Sequence, residues 1–182
     1  MSIVPEDADP HLSQHPVDEL IRRLIRTADD ATAEELRSIV DRIATAPFDP
    51  RLRPVPFQWR GQVVQGRALG QWDDALTVHW LQHVLIEQQW LPETTPDEYL
   101  ASLRRGVRSP HAAVALYRRR GGHVAITATP TVAILRSRRH GEGRLQQLLV
   151  VYSADRGIVI TGYQFSHLEA IGIPGNAQWL NR

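Results

Sequence analysis

The stretch LLVVYSADRGIVITGYQ, Leu148 to Gln164, constrains the fold more tightly than any other part of the 182-residue chain. Residues 148–152 and 158–164 are dense in β-branched and aromatic side chains, and Asp155-Arg156-Gly157 between them supplies a turn in which glycine can take positive φ. The pattern predicts two antiparallel strands and a tight turn. In the second strand a period of two puts Val159, Thr161 and Tyr163 on one face and Ile158, Ile160 and Gly162 on the other. The aliphatic face belongs in a core, whereas Thr161 and Tyr163 opposite it can line a cleft.

The other segments divide into helices first and strands later. Residues 1–15 lack periodicity and read as a flexible arm, with His11 and His15 solvated. Val17, Leu20, Ile21, Leu24 and Ile25 recur at three and four, predicting an amphipathic helix with Arg22, Arg23 and Arg26 outward. A second helix begins at the capping box Thr32 to Glu35, carries Leu36, Ile39, Val40 and Ile43, and stops before Pro47. The two form a helical hairpin. Residues 46–57 hold four prolines and read as an extended connector, so 16–57 is taken as hairpin plus connector and 58–182 as the main α+β domain. Gln58 to Ala68 suggests a short strand or hairpin.

Asp73 to Gln89 is the strongest helical pattern. Leu76, Trp80, Leu81, Val84 and Leu85 make its apolar arc, and His79, His83 and Glu87 lie four apart along the border of that arc. Three chemistries fit: general acid–base catalysis, metal ligation with Glu87, or hydrogen bonding at the edge of a core. Metal is the weaker functional version, because the spacing lacks the adjacent glutamate of an HExxH site and no third ligand is evident. A further helix starts at Thr95, with Pro96 at its first position and Glu98 closing the box, and Gly106 is its expected C-cap. Strands are then expected at 111–119, 123–129, 132–138, 145–152 and 158–164. The short connections require antiparallel neighbours. The fold class is therefore α+β, an N-terminal helical hairpin plus helices packed on an antiparallel four- to five-stranded meander sheet. A tail helix or turn near residues 167–174 follows, with His167 structural and Trp179 packing back on the domain.

Charge is distributed unevenly along this order. All 21 basic residues are arginine; residues 1–100 are net −8 and residues 101–182 net +9, for a total of +1. The basic half can meet nucleic acid, a protein partner, or the acidic half of its own chain. Arg118, Arg119 and Arg120, with Arg136, Arg138 and Arg139, cluster at strand ends, where guanidiniums either stand in solvent, protecting strand edges, or converge on a phosphate backbone. There is no cysteine, which excludes disulfides and thiolate metal sites and fits a reducing cytosol. No apolar run approaches the ~20 residues of a membrane span. No P-loop or dinucleotide fingerprint is present, so no nucleotide cofactor is expected.

A His-bearing helix (HWLQH), a capped helix beginning TPDEYL, an antiparallel meander and a last strand VITGYQ together resemble the metal-independent ribonucleases of the barnase, EndoU, colicin and RelE-like superfamily, with its phage- and toxin-associated branches. The resemblance covers about residues 73–165 and leaves the N-terminal hairpin without a counterpart. It implies a cytoplasmic, toxin-like endoribonuclease acting on tRNA or rRNA without a cofactor, and a neutralising antitoxin or immunity protein as partner. By the same resemblance His79 or His83 is the helix histidine, Arg136 or Arg138 a strand base, and Thr161 and Tyr163 the last-strand hydroxyls; Arg119, from the strand-end cluster, is a further candidate for substrate binding. The alternative is a non-catalytic nucleic-acid- or protein-binding module that uses the basic C-terminal sheet.

Overall fold

The computed structural model describes residues 12–49, 57–59, 62–64, 75–131, 147–165 and 173–181. Helix α1 (Pro16–Thr27) and helix α2 (Ala33–Thr45) form the expected hairpin, and the Thr32–Glu35 capping box closes with both reciprocal hydrogen bonds. Strands β1 (Phe57–Trp59) and β2 (Gln62–Val64) pair as a small antiparallel ribbon. Helix α3 (Ala75–Trp80) passes directly into a π-helical segment (Leu81–Ile86), where a single α-helix is expected from the periodicity. Helix α4 (Pro96–Arg108) opens on the Thr95–Glu98 box.

Strands β3 (Ala113–Arg119), β4 (Gly122–Pro130), β5 (Gln147–Ser153) and β6 (Ile158–Phe165) pair consecutively and antiparallel. The sheet gains its fifth strand from β7 (Gln178–Trp179), which pairs with the outer edge of β3 to give the order β6-β5-β4-β3-β7. The strand expected at 132–138 lies outside the described residues. The architecture is α+β, as the alternation of periods predicts.

Helices cover one face of the sheet. Ile21 and Leu24 of α1, Ile39 and Ile43 of α2, and Tyr99 and Leu103 of α4 are buried with Leu116, Leu148, Val150 and Tyr152 in one cluster. The hairpin and the sheet thus share a continuous core. A second apolar cluster, with Ala115, Ile126, Ala128, Leu149 and Val151, occupies the opposite face. Burial on both sides explains why β5 reads as an unbroken apolar run instead of alternating.

Three local expectations change. Arg22, expected on the outer face of α1, is buried and donates to the Ala154 carbonyl at 2.8 Å. The helix does not end at Gly106, which is buried inside α4 where a Cβ would approach Leu148 Cδ2 to 2.7 Å; Ser109 is the cap. Glycine stands there for close packing. Of the N-terminal arm, residues 12–15 are docked, since the Ser13 amide donates to the Asp155 carbonyl at 2.6 Å and His15 Nδ1 caps α1 by accepting from the Val17 amide.

Docking of the hairpin depends on one buried carboxylate. Asp18, fully inaccessible, accepts from Tyr152 Oη (2.5 Å), Ser13 Oγ (2.6 Å) and Arg42 Nη2 (2.8 Å). Burial, then Asp18 itself, pushes the Tyr152 phenol far above its ordinary range, so it remains a donor. Gly157, at φ +66°, lies beneath this cluster: a Cβ there would come to 2.7 Å from Arg42 Nη2. The turn glycine is required both by its dihedral and by the space. Nearby, Arg156 makes a two-pronged contact with Asp49 at 2.6 and 2.8 Å, so one cation of the basic half is answered by the acidic half of the same chain. Among the described residues no helix is long and apolar enough to cross a membrane.

Candidate active site at the β6 edge

Strand β6 lies at the border of the five-stranded sheet, where backbone groups lack a neighbouring strand. The chain covers that edge from two sides. Phe48 bridges Val159 in parallel, with the Asp49 amide donating to the Val159 carbonyl and the Val159 amide to the Pro47 carbonyl. Further along, the Gln164 amide donates to Gln89 Oε1 at 2.8 Å, and Gln164 Nε2 returns a bond to the Gln89 carbonyl. The π-helical segment is thereby laid alongside β6.

A bulge sets which β6 side chains face it. Val151 pairs with Thr161 but Tyr152 pairs with Val159, so Ile160 is the extra residue. The simple alternation over 158–164 therefore fails: Val159 joins the helix-side core, while Ile160 and Tyr163 pack against the opposite cluster. Gly162 faces the helices. A Cβ there would come to 2.5 Å from Leu103 Cδ1, and its carbonyl accepts from Tyr99 Oη at 2.5 Å.

At this edge Thr161 Oγ1 sits between two imidazoles, 3.1 Å from His79 Nδ1 and 3.3 Å from His83 Nε2. The rings stack with centroids 5.8 Å apart. His83 Nδ1 lies 2.7 Å from Glu87 Oε2, and Gln82 and Gln89 donate to the same carboxylate. Tyr163 stacks on His83 at 5.6 Å and meets Phe165 edge-on. Phe48 packs on His79 at 5.7 Å.

The two imidazoles differ in their electrostatic surroundings. Burial, and next the charge of His83, brings the His79 pKa down to about 4, against the opposing pull of Asp49 and Glu87, so its ring is neutral at pH 7. Burial opposes ionisation of Glu87, but the His83 hydrogen bond and charge, with help from Gln82 and His79, hold its carboxyl below the ordinary value. Burial, Tyr117 and Glu87 raise the Tyr163 phenol, and Arg119 opposes them. Tyr163 is consequently a hydroxyl donor within the field of the Arg119 guanidinium.

The Thr161 hydroxyl has two consistent arrangements, donating to His83 while accepting from His79 Nδ1–H, or donating to a neutral His79 Nδ1 while accepting from His83 Nε2–H. Exchange between them moves a proton from one ring to the other. His83 uses both ring nitrogens, one on Glu87 and one on Thr161, so His79, His83 and Glu87 do not aim free lone pairs at a common point. Among the described residues no group of three histidines or carboxylates has metal-holding geometry.

The titration of His79 has a direct consequence for stability. Its folded pKa of about 4 lies below the unfolded value near 6.5, so the unfolded chain binds the proton first as pH falls. Stability is full above about pH 6.5 and declines through the interval down to about pH 4, by about 3 kcal/mol from this group. Urea unfolding of the native protein and of His79→Gln across this interval should show the steeper decline in the native protein; parallel curves would remove the assignment.

Of the seven site residues expected from sequence, His79, His83, Thr161 and Tyr163 come together, and Arg119, exposed at the end of β3, acts on Tyr163. Arg136 and Arg138 lie outside the described residues. Glu87 is visible in the sequence as a ligand candidate but serves as the partner of His83. Phe48, Asp49, Gln89 and Gln164 have no signal in the sequence, because only the tertiary fold brings the connector and the π-helical exit to β6. Compared with known proteins, the chain matches no family model, no curated relative and no solved structure.

Proposed function

We propose that the chain is a metal-independent, toxin-like endoribonuclease that cleaves RNA by attack of a ribose 2′-hydroxyl on the adjacent phosphate. One observation carries the proposal: a single hydroxyl, Thr161, bridges two imidazoles of which one is held neutral and the other leans on a carboxylate. A neutral imidazole suits the base, and an imidazole held by a carboxylate suits the proton donor. His79 takes the proton of the attacking 2′-hydroxyl. The 2′-oxygen–phosphorus bond forms, the phosphorus–5′-oxygen bond breaks, and the leaving 5′-oxygen takes the Thr161 hydroxyl proton as the Nε2 proton of His83, oriented by Glu87, replaces it. The Thr161 hydroxyl then passes the proton from His79 back to His83. Tyr163, stacked on His83, and Arg119, whose charge acts on Tyr163, are proposed as hydroxyl and cationic donors for charge developing on phosphate. Arg136 and Arg138 remain proposed phosphate ligands on the sequence resemblance alone, as do the tRNA or rRNA substrate and a neutralising antitoxin or immunity protein.

A second reading, a non-catalytic module that binds nucleic acid or protein through its basic half, draws on Arg118, Arg119 and Arg120, all exposed at the β3–β4 turn. Incubation with tRNA and rRNA in chelator separates the two readings. Cleavage leaving 2′,3′-cyclic phosphate and 5′-hydroxyl ends, blocked by 2′-O-methylation at the cut, is the expected result. Retention of intact RNA selects the binding module.

A further inference from the structure

Helix α4 turns one side to the sheet through Tyr99, Leu103 and Val107, and its other side borders a groove of about 640 Å³. Leu100, Ala101 and Pro110 give the groove apolar walls, and Arg104, Arg105 and Arg108 line its C-terminal half. The three arginines are exposed, and among the described residues none is in an ion pair with a carboxylate. Asp97 stands at the opposite end, in the first turn of α4. Among the described residues that line the groove none is aromatic.

We infer that this groove is a docking surface for an acidic, amphipathic segment of a partner protein, with carboxylates on Arg104, Arg105 and Arg108 and apolar side chains on Leu100, Ala101 and Pro110. The chemistry favours this occupant over RNA. Single-stranded nucleic acid is held by a cationic track together with aromatic rings on which bases stack, and the described lining of the groove offers only the first. Its apolar walls suit aliphatic anchors set between carboxylates, in the manner of a helix seated in a groove. Arg104 and Arg108, one helical turn apart, match carboxylates spaced by one turn on such a segment. Asp97 repels an acidic residue at the far end, so the segment lies with its charged portion over the C-terminal half of α4. The inference does not rest on the ribonuclease reading, since none of these residues belongs to the His79–His83 site.

The test is fluorescence anisotropy of the full chain with a labelled synthetic peptide of repeated Glu-Leu-Glu-Glu-Leu units. Three further probes are a version with Lys for Glu, a version with Ser for Leu, and a single-stranded oligouridine. Salt-sensitive binding of the Glu-Leu peptide is expected, with neither peptide control binding comparably. Arg104→Glu combined with Arg108→Glu should weaken it about a hundredfold, and Arg104→Gln with Arg108→Gln about tenfold, with circular dichroism unchanged. Failure of the Glu-Leu peptide to bind overturns the inference, as does binding indifferent to these substitutions. Equal binding of the Ser version would reduce the surface to unspecific charge attraction, and tighter binding of the oligouridine on the same arginines would reassign it to RNA.

Discussion

His83→Ala is expected to lower RNA cleavage by about a thousandfold or more while the protein remains folded. General acid–base groups contribute about 10²–10⁴ in rate, and this ring is the hub of the site. Its loss severs the Glu87 contact at one nitrogen and the Thr161 contact at the other, and it removes the surface on which Tyr163 stacks. Thr161 then retains His79 as its imidazole partner, and the proton path between the rings is gone. Glu87→Gln gives the complementary result. It keeps a side chain of the same shape beside His83 but removes the charge, so kcat should fall by about tenfold with KM nearly unchanged, the signature of a positioning residue. The pH profile supplies a third reading of the same site. Because His79 must be neutral to act as base, activity should fall as pH drops through about 4. Full activity in His83→Ala, with the melting temperature unchanged, would end the proposed role of this histidine.

Asp18→Ala is expected to destabilise the fold by about 3–5 kcal/mol, the cost of removing one partner from a buried charged cluster. The substitution leaves Arg42 without its carboxylate and the Tyr152 phenol and Ser13 hydroxyl without their acceptor, around a position that is itself fully buried. Against a total stability of about 5–15 kcal/mol for a domain, that is a large share. Urea denaturation should show a lower midpoint with a similar slope. Paired with Tyr152→Phe in a double-mutant cycle, it should give a coupling of about 1 kcal/mol or more, because the two side chains share one hydrogen bond. A change under about 1 kcal/mol in the single variant would show that the hairpin docks by apolar packing alone. That packing is substantial, since Ile21, Leu24, Ile39 and Ile43 are each worth about 1.5–3 kcal/mol when fully buried.

These two clusters lie at different distances from what periodicity encodes. The helices α1, α2 and α4 follow from apolar residues at three and four, with threonine caps on α2 and α4, and both capping boxes close as the spacing requires. The paired strands β5 and β6 follow from β-branched runs around a turn glycine. Such signals are local, so a linear reading reaches them. The bulge at Ile160 is not local: it depends on the register of β5 against β6, and it moves Val159 to the helix side while leaving Thr161 and Tyr163 opposite. The π-helical segment is equally hidden, because LQHVLI carries no residue that demands it.

The hairpin Leu148–Gln164 and the His79–His83–Glu87 spacing were determined by sequence alone, since each needs only neighbours within a few residues. The tertiary structure decided that they meet. It docked the α3 exit on the open edge of β6 through Gln89 and Gln164 and brought Phe48 and Asp49 from the connector onto His79. It also set the Thr161 hydroxyl between two rings, of which His83 alone is hydrogen-bonded to Glu87. Proton chemistry depends on distances of about 3 Å and on local exclusion of water, and both arise from contacts between segments some eighty residues apart.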